Sequence, residues 1–160
     1  MTIQIGDRIP AVDVQYMGTD GVETVNTSEL CAGKKVVLFA LPGAFTPTCS
    51  ASHLPGYVVK ADALKAKGVD LIACLSVNDA FVMDAWGRQN NADDLVMMIA
   101  DGSAHFSKAV GLDLDLDARG MGIRSQRYSL LINDGVVEQI HLEGPGEFKV
   151  SDAETMLANL

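Results

Sequence analysis

Cys49 is the residue through which this chain can do chemistry. It ends the segment Pro42-Gly43-Ala44-Phe45-Thr46-Pro47-Thr48-Cys49, which follows the apolar run Val36-Val37-Leu38-Phe39-Ala40-Leu41. Pro47 suits the first turn of a helix, where its missing N–H costs nothing, so the spacing puts the sulfur at a helix N-terminus. A thiol there meets backbone N–H groups without partners and the positive end of the helix dipole. Both favour the thiolate, the nucleophilic form. The competing reading, a small core hydrophobe, fits a Thr-Pro-Thr-Cys turn poorly, so the reading is of a reactive, solvent-facing thiol.

Thr46 lies three residues before Cys49, a spacing that sets its hydroxyl beside the sulfur across one helical turn. A hydroxyl donates and accepts, so Thr46 either orients a small oxygen-bearing substrate or caps the helix. Pro42 ends the strand, and its ring either shields the thiolate from bulk water or simply shapes the turn. Arg124 and Arg127 precede the apolar segment Tyr128 to Ile132. Either can reach over the sheet to Cys49, and spacing does not choose between them. His53, four residues after Cys49, can share a helix face with it, which would suit a Cys–His hydrolase or acyltransferase. The simpler reading is a partly exposed helical histidine. Cys74, inside Leu71-Ile72-Ala73-Cys74-Leu75, reads as inert core, and Cys31, ahead of Ala32-Gly33-Lys34-Lys35, as a thiol beside a loop. Met97-Met98 and Phe81 with Trp86 read as core or interface rather than a cofactor site.

The elements that must position these residues follow from periodicity. Residues 11–16 and 22–26 alternate about Gly18-Thr19-Asp20-Gly21, which predicts an N-terminal hairpin. Thr27 to Leu30 predicts a short capped helical turn. Lys35 to Leu41 is a continuous apolar strand of the kind buried on both faces. A helix is predicted from Pro47 to Lys67, kinked or divided at Pro55 and stopped at Gly68. A second strand spans Val69 to Val77. A helix capped at Asn78-Asp79 then runs to Arg88, with Phe81, Ala85 and Trp86 on one side. Leu95 to Ala100 is a strand, Ser103 to Val110 a short helix, and Gly111 to Gly122 a loop carrying Asp113, Asp115 and Asp117. Tyr128 to Ile132 and Val136 to Leu142 form a hairpin about Asn133-Asp134-Gly135. Ser151 to Leu160 is a closing helix, with Ser151 and Glu154 as a capping box. Alternating strands and helices predict an α/β fold: a central mixed sheet flanked by helices, in the element order of a thioredoxin-like domain.

Composition narrows the class. The chain has 160 residues, 48% hydrophobic and 21% charged, which fits one soluble domain with a full core. Neither repeats nor low-complexity segments divide it. A net charge of -9 argues against nucleic acid as the main partner. No apolar run reaches membrane-span length, and Met1-Thr2-Ile3-Gln4 does not begin a signal peptide, so the expected location is the cytoplasm. Three cysteines with no CxxC, and three scattered histidines, predict neither a zinc site nor a disulfide framework.

The chain resembles the peroxiredoxins, and among them the type-5 group. The resemblance is carried by Leu41 to Ser50, followed by Ser52-His53-Leu54-Pro55-Gly56, and by Cys74-Leu75-Ser76-Val77-Asn78-Asp79-Ala80-Phe81-Val82, Ala85-Trp86-Gly87 and Arg124-Ser125-Gln126-Arg127-Tyr128-Ser129. It implies that Cys49 is a peroxidatic cysteine attacking hydrogen peroxide or an organic hydroperoxide. Thr46 would hold the peroxide, Pro42 would shield the pocket, and Arg127 rather than Arg124 would be the active-site arginine. No metal or organic cofactor is implied. Some relatives carry a resolving cysteine before the last helix, but Glu143 to Ser151 contains none. The implied reductant is therefore an external thiol, with glutathione or glutaredoxin favoured and thioredoxin possible, and Cys31 is an outside candidate for a resolving role. A homodimer through the loops near the site is also implied, with Phe45, Phe81 and Trp86 at the interface. Two other readings use the same thiol: a Cys49–His53 hydrolase, and a non-enzymatic redox-sensing holdase.

Overall fold

The apolar run after Lys34 becomes the middle of a sheet. In the computed structural model, which describes residues 1–160, β1 (Asp13–Gly18) and β2 (Gly21–Asn26) form the N-terminal hairpin and α1 (Thr27–Cys31) leads into β3 (Lys35–Ala40). The chain turns helical at Pro47, opens into a π-helical turn at Cys49–His53, and continues as α2 (Leu54–Ala66). Then come β4 (Leu71–Ser76), α3 (Ala80–Gln89), β5 (Met97–Ala100), α4 (His105–Ala109), β6 (Asp113–Leu116), β7 (Gly122–Ser125), β8 (Tyr128–Asn133), β9 (Val136–Leu142) and α5 (Ala153–Ala158).

Seven strands make one mixed sheet in the order β2-β1-β5-β4-β3-β8-β9. β3 runs parallel to β4 and β4 to β5, while β8 lies antiparallel to β3. This is the predicted thioredoxin-like architecture. Because β3 is buried on both faces, its side chains divide by pleat. Val37 and Phe39 join the cluster under α2, α3 and α5, and Val36, Leu38 and Ala40 join the cluster on the other face.

The helix after β3 shows how sequence sets local shape. Pro55 has no N–H for the carbonyl of Ala51, and its ring would crowd that carbonyl. The chain answers by widening: Leu54 N–H bonds the Cys49 carbonyl, five residues back. The predicted kink is thus a π turn. α2 ends in a Schellman motif, with Gly68 at φ +94, Gly68 N–H on the Lys65 carbonyl at 3.0 Å and Val69 N–H on the Leu64 carbonyl at 3.4 Å.

Some sequence expectations change. The stretch 111–122 is no plain loop: Asp113–Leu116 pairs antiparallel with Gly122–Ser125, and the Asp-Leu-Asp-Leu alternation is a strand period. Ser151 does not cap the last helix. Asp152 does, accepting from Thr155 N–H. In α3, Phe81 and Ala85 face outward, whereas Trp86 is buried on the opposite side with Met83, because residue 86 lies about 100° round the helix from residue 85.

Candidate active site

β3 ends at the carboxyl edge of the sheet, where α/β folds open their crevices. The loop leaving it is tied down by Asn78, whose Oδ1 accepts from Ala44 N–H at 3.0 Å. Phe45 turns through a left-handed φ of +63, a strained conformation for a bulky residue. The first helical bond runs from Ser50 N–H to the Thr46 carbonyl at 2.9 Å. Pro47, Thr48 and Cys49 therefore occupy the opening positions, where Pro47 has no N–H to leave unpaired and the helix does not use those of Thr48 and Cys49. Trp86 braces this turn from α3, donating Nε1–H to Ser50 Oγ at 3.0 Å.

Sheet register brings the arginine to the cysteine. Ala40, at the end of β3, pairs with Tyr128 at the start of β8, so the residue before Tyr128 lies beside the loop leaving β3. Arg127 donates from Nη2 to Cys49 Sγ at 3.0 Å. Arg124 reaches the same loop from β7 but contacts its backbone, donating to the Pro42 carbonyl at 3.4 Å. The choice that spacing left open is thus made by geometry. Thr46 donates its hydroxyl proton to the Gly43 carbonyl at 2.7 Å and caps no N–H, which leaves its oxygen lone pairs available.

Cys49 itself is fully buried, contrary to the solvent-facing expectation. The inner side of the turn packs on the same core cluster as Leu41, Ala44 and Leu54. A cavity of about 190 Å³ opens beside Arg127, bordered by Pro42, Thr48, Leu114, Gln126 and the stretch from Gly144 to Glu147; Cys49 and Thr46 do not line it. A cleft of about 370 Å³ bordered by Met97 and Met98 shares no residue with this site.

His53 also departs from the sequence reading. It is fully buried, not partly exposed, packed between Phe39 and Phe148 with ring centroids 5.0 Å from each. Its Nδ1 lies 2.8 Å from Arg127 Nη1 and its Nε2 3.0 Å from the Ser151 carbonyl oxygen. An arginine only donates and a carbonyl only accepts, so Nε2 carries the proton and Nδ1 accepts. Burial, then the Arg127 charge, push its pKa down to about 3. With both ring nitrogens engaged elsewhere, His53 is no base for Cys49, and the Cys–His hydrolase reading loses its proton acceptor.

Cys74 is core, as expected, and burial holds its thiol well above the ordinary range. Cys31 is buried as well, and burial pushes its pKa up to about 11. Sequence reasoning missed Glu143, Phe148 and Ser151. Glu143 accepts from the N–H groups of Lys149, Val150 and Ser151 and from Ser151 Oγ. Phe148 lies under the Arg127 guanidinium at 5.7 Å. No local signal marks them, because their roles arise only when the 143–151 loop folds back over the helix.

Known proteins share this fold. The family model described as Redoxin matches residues 4–157. Peroxiredoxin-2E, chloroplastic, of Arabidopsis thaliana is 50% identical over 163 residues, covering 99% of this chain and 70% of the relative. The crystal structure of reduced Prx3 from Vibrio vulnificus in complex with hydrogen peroxide is 54% identical, with a TM-score of 0.96 over 99% of each chain. The oxidised Prx3 structure from the same organism is 56% identical, with a TM-score of 0.91 over 100% of each chain. The chain belongs to the redoxins and, within them, to the peroxiredoxin family. Its activity is that of a thiol peroxidase.

Proposed function

We propose that Cys49 is the peroxidatic residue, with Arg127, Thr46 and Pro42 as its active-site partners. The observation that carries this is the 3.0 Å contact from Arg127 Nη2 to Cys49 Sγ, beside a threonine whose proton is already committed to the Gly43 carbonyl. Thr46 then accepts from the peroxide O–H, which turns the terminal oxygen toward the sulfur. A sulfur–oxygen bond forms as the oxygen–oxygen bond breaks. The sulfur is oxidised to a sulfenic acid, and the peroxide is reduced to an alkoxide or hydroxide that takes up a proton. Negative charge moves to the leaving oxygen during this step, and fixed donors such as the guanidinium stabilise it there. Pro42 walls the cavity.

Recycling belongs to the proposal. Cys31 and Cys74 are buried and residues 143–151 hold no cysteine, which supports a one-cysteine, type-5 cycle with an external reductant. The sulfenic acid condenses with an external thiol, releasing water and leaving a mixed disulfide. A second thiol frees Cys49 and departs as a disulfide. We favour glutathione, alone or with glutaredoxin, over thioredoxin. Residues 1–160 are taken to act as one domain in the cytoplasm, without a metal or organic cofactor, although the Arabidopsis relative is named as chloroplastic. Cell fractionation decides the compartment. A homodimer through the active-site loops is proposed on Phe45 and Phe81, 50% and 68% exposed. Trp86 drops out because it is buried, and sedimentation giving only monomer would reject the dimer. The deciding experiment is steady-state peroxide turnover with glutathione, glutathione plus glutaredoxin, and thioredoxin systems side by side. Turnover should be fastest with a glutathione-based system; turnover with thioredoxin alone rejects the favoured reductant.

A further inference from the structure

We propose that Glu143 is a positioning residue for the peroxidatic cysteine. Its carboxylate gathers the 143–151 loop so that the Ser151 carbonyl fixes His53, and His53 aims Arg127 at Cys49. The inference rests on the reading of Cys49 and Arg127 given above.

Glu143 follows β9 directly, and its N–H bonds the Arg127 carbonyl at 3.0 Å. Its side chain turns away from solvent and collects the end of the loop. Lys149 N–H lies 2.9 Å from both carboxylate oxygens, and Val150 N–H, Ser151 N–H and Ser151 Oγ lie 2.9, 2.8 and 2.7 Å from Oε2. Burial works against the charge, but these donors together outweigh it and hold the carboxyl below its ordinary range. Residues 143–152 contain no helix or strand, so this carboxylate is the loop's main internal anchor. What it fixes is the Ser151 carbonyl, which accepts from His53 Nε2 at 3.0 Å and from Tyr57 Oη at 2.9 Å.

The chain of bonds has one consistent direction. The Ser151 carbonyl requires the proton of His53 on Nε2, and that leaves Nδ1 free to accept Arg127 Nη1–H at 2.8 Å. With one guanidinium nitrogen held this way, the other meets Sγ at 3.0 Å. Were the Ser151 carbonyl released, the ring could carry its proton on Nδ1. That N–H would oppose the N–H of Arg127, and the guanidinium would leave the sulfur. Phe148, held by the same loop, would leave the guanidinium face at the same time.

The test uses the full chain, pre-reduced, and separates peroxide oxidation of Cys49 from its later reduction. Glu143→Leu should slow peroxide oxidation about 10–100-fold, as expected when a reacting group is misplaced. Reduction of the preformed sulfenic acid by glutathione should change little. Glu143→Gln, which keeps an oxygen for the Ser151 donors, should recover most of the rate. Nitrogen-15 NMR of the wild-type protein should find His53 protonated on Nε2, and Glu143→Leu should mix the tautomers. Should Glu143→Leu fail to fold, Glu143→Gln combined with Ser151→Ala takes its place and should still slow oxidation severalfold. A folded variant that loses thermal stability yet oxidises within about twofold of wild type makes Glu143 a structural clamp only and overturns the proposal. An Nδ1-protonated His53 in the wild type overturns it too. If Arg127→Ala oxidises as fast as wild type, the active-site reading itself fails, whatever Glu143 does.

Discussion

The proposed peroxide nucleophile, Cys49 Sγ, is set by the residues of its own loop and by the Arg127 guanidinium at 3.0 Å. Gly43 sits against Thr46 and against Arg124, which holds the loop by the Pro42 carbonyl. A Cβ built on it would lie 2.9 Å from Arg124 Nη1 and 3.2 Å from Thr46 Cγ2. Gly43→Ala should therefore fold, because the arginine tip can swing aside, but it pushes the threonine off its position. Stopped-flow oxidation by hydrogen peroxide should slow about tenfold, and an unchanged rate would remove Thr46 from the account. At this scale the sequence was informative where the chemistry is contiguous. Pro42, Thr46 and Cys49 lie within one turn and could be read together. Arg127 was separated from Arg124 only by resemblance, since the physical reason is the pairing of Ala40 with Tyr128. The burial of His53 is not legible locally, because it depends on Phe148 and Ser151, about a hundred residues along the chain.

Elements were legible where their own residues decide them. Pro55 predicts an irregular helix and Gly68 its stop, and both features are present. Gly68 sits at φ +94 with nothing within 4 Å of an added Cβ, so the cost of Gly68→Ala is conformational alone. It should destabilise by about 1 kcal/mol, measured by urea unfolding, without altering peroxide oxidation. A substitution with no effect would mean that the Schellman end does not hold α2. The β6–β7 hairpin is hard to read from sequence, because its alternating aspartates look like a solvated loop by charge and like a strand only by period. The cap of α5 moved from Ser151 to Asp152 because Ser151 is already engaged by Glu143. Tertiary demand on a residue overrides its local preference.

For the whole molecule, the buried histidine links stability to pH. His53 has a folded pKa near 3 against an ordinary value of 6.5. Between those values the unfolded chain binds more protons, so stability rises with pH. The contribution is complete above about 6.5 and is lost as pH falls toward 3, with a slope of up to about 1.4 kcal/mol per pH unit. Burial lowers His141 as well, with the same sign, and the depressed Glu143 adds to the loss at still lower pH. His53→Gln should flatten the stability profile between about pH 6.5 and 4.5, whereas His141→Gln should flatten it less. Parallel profiles for wild type and His53→Gln would mean that His53 is not held neutral.

The central claim is that oxidation by peroxide falls on one sulfur, and trapping reads this directly. One equivalent of hydrogen peroxide is added to the reduced protein in the presence of a sulfenic-acid trap such as dimedone, and the adduct is located by mass spectrometry. A single adduct is predicted at Cys49, absent in Cys49→Ser and retained in Cys31→Ser and Cys74→Ser. An adduct on Cys31 or Cys74, or peroxide consumption by Cys49→Ser at the wild-type rate, would contradict the account.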